Sequence, residues 1–103
     1  MLIIKSINNV PIRLSKERWN HITERHPEMK KQKGKVLETL EKPDLIQKGD
    51  FGGLIAMKFF RSTPLTSKYL VVIYKEVSKE DGFIITAYFT NQPSERRKTI
   101  WKR

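Results

Sequence analysis

Two histidines, His21 and His26, are the side chains best suited to move a proton near neutral pH, and both fall in the segment RWNHITERHPEM. At about 100° per residue, Trp19, Ile22 and His26 share one stripe of a helix, while Arg18, His21 and Arg25 share another. His26 is therefore expected to end the helix beside the core, where Pro27 stops it, and it is the stronger candidate for general acid–base work. His21, between two arginines, belongs on the wet face. A lone histidine serves structure more often than catalysis, and that reading stays open for both.

The stretch GFIITAYFT supplies a second set. Strand alternation places Phe83, Ile85, Ala87 and Phe89 on one face, as core, and Ile84, Thr86, Tyr88 and Thr90 on the other. Thr86, Tyr88 and Thr90 offer hydroxyls to a phosphate and one ring to a base; β-propensity on a wet face is the competing explanation. In the preceding LIAMKFFR, alternation puts Lys58 with Ala56 and Phe60, and Arg61 with Ile55, Met57 and Phe59. Lys58 is expected beside the threonine–tyrosine row, unless it is an edge lysine that discourages aggregation.

What is missing narrows the chemistry. The chain has no cysteine, which removes thiol catalysis, thiolate zinc sites and disulfides. The histidines are five apart and form no H-E-x-x-H pair, and the glycines of KGDFGG lack the spacing of a phosphate-binding P-loop. Glu17, Glu24 and Glu28 suit helix-surface ion pairs better than a two-metal centre. Cleavage of nucleic acid by this chain is thus expected to need no metal and no cofactor.

The charge balance points to a polyanion. Against 11 Asp+Glu stand 21 Lys+Arg, a net charge of +10 on 103 residues. Lys30, Lys31, Lys33 and Lys35 form one cluster, and Arg96, Arg97, Lys98, Lys102 and Arg103 another. Arg61, Thr86, Arg96, Arg97 and Lys98 are the expected RNA contacts, the last three on a tail beyond the final strand. A basic surface that merely aids solubility is the plain alternative. The opening MLIIKSINNVPIRL lacks a basic leader followed by a long apolar run, and no stretch approaches the roughly 18 apolar residues of a membrane span. A soluble protein of the reducing cytoplasm, without a membrane partner, is expected.

Around these residues the sequence reads as one domain, 1–103, with no repeat or linker. Leu2, Ile3 and Ile4 suggest a short strand, and Val10, Ile12 and Leu14 alternate on the way into the first helix. Ser15 is its expected N-cap, with Leu14 and Trp19 spaced as a hydrophobic staple. A second helix is predicted from Lys31 to Glu41, with Val36, Leu37 and Leu40 inward and Pro43 as its stop. Four strands follow, Leu45 to Gln47, Leu54 to Arg61, Lys68 to Lys75 and Phe83 to Thr90, separated by turns at 48–53, 62–67 and 76–82. Short connections favour antiparallel pairing. The expected class is α+β: two N-terminal helices packed on a four-stranded antiparallel sheet.

The run IRLSKERWNHITERHPEM, followed by VLETLEKPDLI, YLVVIYK and GFIITAYFT, resembles the phage-associated domains grouped with the barnase, EndoU, colicin and RelE nucleases, the BECR fold. The resemblance extends from Ile12 to Trp101 and is most specific at W-x-H-I-x-x-R-H-P-E, Trp19 to Glu28. It implies a BECR-like fold and a metal-independent RNase, often a toxin, in which a 2′-hydroxyl attacks the adjacent phosphate. It also implies a site at Arg25 and His26 with Tyr88 and Thr90. Lys58 and Arg61 rest on strand geometry rather than on a motif, and His21 is the weaker histidine. A toxin or phage effector of this kind would meet a cognate antitoxin or inhibitor protein. Two other classes remain open: a nucleic-acid-binding module without activity, and a basic protein-interaction domain.

Overall fold

Helix α1 (Lys16–Arg25) starts where the Ser15 hydroxyl accepts a hydrogen bond from the Arg18 backbone N–H at 3.0 Å, with Glu17 in the first turn. It stops at His26, ahead of a 3₁₀ turn (Pro27–Met29). These features come from a computed structural model that describes residues 1–66 and 68–103. The predicted turn at 62–67 ends on Ser67, which lies outside the described residues. Helix α2 (Lys33–Glu41) begins two residues later than expected, because the chain from Pro27 to Gln32 is taken up by tight turns. No helix among the described residues is long and apolar enough to cross a membrane.

Among the described residues, seven strands form one mixed sheet: β1 (Leu2–Lys5), β2 (Pro11–Leu14), β3 (Leu45–Lys48), β4 (Leu54–Phe59), β5 (Tyr69–Ser78), β6 (Asp81–Thr90) and β7 (Thr99–Lys102). Their order is β1-β2-β6-β5-β4-β3-β7. The expectation of two helices on a four-stranded antiparallel sheet is overturned. The predicted meander is present as β3 to β6, but three further strands extend it. The alternation of Ile12 and Leu14 is a strand, not a run-in to the helix, and it pairs with β6 in parallel through Ile12↔Gly82 and Arg13↔Phe83. A Cβ on Gly82 would stand 2.5 Å from the Ile12 side chain and 2.6 Å from the Lys75 carbonyl, so this close docking requires glycine.

The basic tail is the other correction. Thr99–Lys102 is β7, paired with β3, so Arg96, Arg97 and Lys98 precede a strand rather than trail beyond the last one. Asp44 secures that end. Its Oδ2 accepts the Phe59 N–H at 2.8 Å, its Oδ1 lies 3.3 Å from the Arg103 guanidinium, and its carbonyl accepts the Arg103 N–H at 2.9 Å. The predicted turn at 76–82 is shorter than expected, because β5 and β6 continue to the pair Ser78↔Asp81.

Both helices cover one face of the sheet. Trp19, Ile22, Met29, Val36 and Leu40 pack there against Ile12, Leu70, Val72, Tyr74, Ala87 and Phe89. Leu37 is only half-buried. A smaller apolar patch, Leu45, Ile55, Met57 and Val71 with Tyr69, Ile73 and Tyr88, lies on the other face.

The parity expected of β6 holds for half its length. Ile73 pairs with Thr86 but Tyr74 pairs with Ile84, leaving Ile85 unopposed in a β-bulge. One extra residue reverses the faces, so Ile84 enters the core with Ala87 and Phe89, while Phe83 and Ile85 do not. Phe83 lies instead beneath the Arg13 guanidinium at 5.9 Å. Ile84→Ala should therefore cost about 2–5 kcal/mol and Ile85→Ala well under half of that, whereas Trp19→Ala should cost about 3–5 kcal/mol. Urea denaturation of the three variants checks this; equal losses at positions 84 and 85 would remove the bulge.

Candidate nucleic-acid interface

β2 accompanies β6 for two residue pairs only, and past that point the edge of β6 is bordered by α1. The Arg18 guanidinium donates to the carbonyl of the bulged Ile85 at 3.4 Å. The end of the helix consequently reaches the end of the strand. His26 caps α1 with its N–H on the Ile22 carbonyl at 2.8 Å, and its own carbonyl accepts the Met29 N–H at 2.9 Å. Met29 is fully buried, which anchors the 3₁₀ turn and limits where the imidazole can go. The His26 ring stacks on Tyr88, with centroids 5.5 Å apart and planes inclined by 29°.

Beside Tyr88 a cleft of about 430 Å³ opens on the sheet face away from the helices. Its floor is Ile55, Met57 and Val71, Tyr88 and Thr90 form one side, and the segment from Gln92 to Arg97 forms the other. That segment crosses the sheet face as a strap, and a buried amide holds it. Gln47, 2% exposed, donates from Nε2 to the Ser94 carbonyl at 2.8 Å and accepts the Ser94 N–H on Oε1 at 3.2 Å. The Thr99 hydroxyl and the Arg97 carbonyl lie at 3.4 and 3.5 Å from the same nitrogen. The Lys48 N–H adds a bond to the Lys98 carbonyl at 2.8 Å.

Arg97 is oriented at both ends. Its guanidinium meets the Asp50 carboxylate in a two-point pair at 3.2 and 3.1 Å and reaches the Lys48 carbonyl at 3.3 Å. The hydrogen bonds to Arg97, then its charge, hold the Asp50 carboxyl below the usual range. The same bonds and charge raise the Arg97 guanidinium above its ordinary value, with a lesser contribution from Tyr88 across the cleft.

The expected site residues separate into two groups. His26, Tyr88, Thr90, Arg96 and Arg97 are gathered around the stack and the cleft, with Arg25 exposed in the last turn of α1 and Thr86 one alternation away from Tyr88 on β6. Lys98 lies exposed at the end of the strap. Lys58 is not among them. The pleat of β4 puts Ile55 and Met57 on the cleft side and Ala56 on the helix side, where Lys58 follows it. Lys58 there donates to the Lys42 carbonyl at 3.0 Å and lies 3.9 Å from Asp44. Arg61 is exposed in the chain after β4. His21 lies on the outer face of α1 in a shallow hollow with Glu17 and Glu24.

Sequence reasoning missed Gln47 and Asp50. The signal was faint: a glutamine inside the apolar run LIQ, and an aspartate in a turn where aspartate is ordinary. Among the described residues, no group of three His, Asp or Glu side chains is gathered to hold a metal ion. Compared with known proteins, the chain matches no family model, no curated protein and no solved structure.

Gln47→Ala removes the amide that holds the strap and leaves Ser94 without its partners. It should lower stability by about 1–3 kcal/mol. Tryptic cleavage after Arg96, Arg97 and Lys98 should become several-fold faster while the rest of the chain stays protected. Unchanged cleavage at those three bonds would show that the strap is held by other contacts.

Proposed function

We propose that this protein is a metal-independent endoribonuclease that works at the His26–Tyr88 stack and the adjoining cleft. The observation that carries the reading is the stack itself. A histidine and a tyrosine 62 residues apart in sequence meet ring on ring, next to a cleft edged by Arg96 and Arg97. The resemblance around Trp19 to Glu28 and the net charge of +10 support it.

In the proposed reaction the RNA 2′-oxygen forms a bond to the adjacent phosphorus and the bond from phosphorus to the 5′-oxygen breaks, which leaves a 2′,3′-cyclic phosphate. One proton leaves the 2′-hydroxyl and one reaches the departing oxygen. His26 exchanges one of them, and the stacked Tyr88 carries the hydroxyl that can serve the other. Arg25, Arg96 and Arg97 supply positive charge to the phosphate as negative charge builds on it. Thr86 and Thr90 offer hydroxyls along the same strand. Lys58, on the far face of the sheet, has no part in this arrangement. The enzyme would act in the cytoplasm, and as a toxin or phage effector it would be restrained by an inhibitor protein.

A second reading, a binding module without catalysis, draws on the net charge of +10 and the exposed Arg96 and Lys98, which could hold RNA without any proton transfer. Cleavage separates the two. Purified protein should cut mixed RNA in EDTA, leave DNA intact for want of the 2′-hydroxyl, and yield cyclic phosphates or their hydrolysis products. His26→Ala should lower the rate at least about 10²-fold with RNA affinity nearly unchanged, and His21→Ala should be close to wild type. Affinity should fall steeply with salt. An uncut RNA pool with folded wild-type protein would leave the binding module, and full activity in His26→Ala would displace the catalytic role from that residue.

A further inference from the structure

We propose that Phe51, at the tip of the β3–β4 hairpin, is a stacking platform for an unpaired base of single-stranded RNA; the proposal rests on the ribonuclease reading of the neighbouring cleft. Phe51 is 95% exposed and has φ 52°, followed by Gly52 at φ 80°, with the Gly53 N–H bonded to the Asp50 carbonyl at 2.8 Å. Positive φ at both central residues marks the hairpin turn that Asn-Gly or Gly-Gly makes without strain. A bulky ring in that conformation is strained and remains in water, so neither backbone preference nor burial accounts for it.

The surroundings suit a polyanion. The Lys75 side chain passes within 3.6 Å of the place a Cβ on Gly52 would occupy. Asp50, the residue before Phe51, is paired with Arg97, and Lys48 is bonded through its backbone to Lys98. Arg97 also lines the cleft beside Tyr88, so one guanidinium joins the hairpin tip to the proposed site. A phosphate drawn to the Lys75 ammonium beside the turn would leave its base to lie on the Phe51 ring, and such stacking tolerates any base. Paired RNA keeps its bases inside the helix, so the platform selects unpaired strands. A protein partner would call for an apolar patch, whereas Phe51 stands between Asp50 and Gly52 with the Lys75 side chain beside the turn.

The test uses the full chain and a single-stranded 2′-O-methyl oligonucleotide, which lacks the nucleophilic hydroxyl and stays intact, with binding read by fluorescence anisotropy. Phe51→Asn should raise Tm, because Asn-Gly suits the turn, while weakening binding about 10-fold. The slope of log affinity against log salt should not change, since the ring carries no charge. Phe51→Trp should bind at least as tightly as wild type. A blunt-ended, fully paired duplex of the same composition should bind wild type and Phe51→Asn alike. Wild-type affinity in Phe51→Asn overturns the platform, including the case in which the ring serves a protein partner, and so does a loss that Trp fails to rescue. If Phe51→Asn binds as wild type while the wild-type protein still cuts RNA, the platform alone falls. If the wild-type protein neither binds this oligonucleotide nor cuts RNA, the ribonuclease reading falls with it.

Discussion

β2 runs beside β6 only through Ile12 and Arg13, because Ser15 already turns the chain into α1. The remaining edge of β6 would otherwise present unpaired backbone groups, and α1 lies along it. The helix is short, so its end falls level with Tyr88 and not beyond it. Where β2 leaves the edge of β6, α1 takes its place and brings His26, at its C-cap, onto Tyr88.

The Ile85 bulge acts on the same edge. The bulged residue's carbonyl receives Arg18, and the bulge reverses the faces so that Ile84 enters the core while Tyr88 keeps its place over Met57 and Val71. Arg13 and Asp81 clamp the start of β6 with bonds of 2.7 and 3.0 Å. The pairing is exposed, so it fixes direction more than it adds stability.

On the cleft side the chain solves a different problem. A sheet face with an apolar patch must be covered or used, and the strap from Gln92 to Arg97 covers part of it. A strap without regular structure would leave its backbone groups unpaired, and Gln47 answers several of them from below the surface. Burying that amide is costly unless it is bonded, which it is at both ends. The arginines of the strap are thereby presented by a held backbone, and Asp50 aims one of them. Three aspartates, Asp44, Asp50 and Asp81, each hold an arginine at a joint of the fold.

Local rules in the sequence determined the helices and the meander. Ser15 capping, the Pro27 stop, the Trp19–Ile22 and Val36–Leu40 stripes and the four alternating runs from Leu45 to Thr90 depend on neighbours a few residues away. His26 and Tyr88 were legible as suitable residue types for the same reason. Tertiary structure decided the rest. Alternation in VPIRL reads the same whether the segment pairs or merely leads into a helix, and Gly82 alone admits the close parallel contact. A bulge shifts parity without altering composition, so the faces of Phe83 to Ile85, and with them the expected core, could be settled only by the pairing partner on β5. Lys58 shows the same limit: its own strand fixed its companions, but which face the helices would cover depended on the whole sheet. The basic tail, polar and aromatic by turns, became β7 because β3 offered it an edge, and that pairing made the strap, the cleft and the position of Arg97.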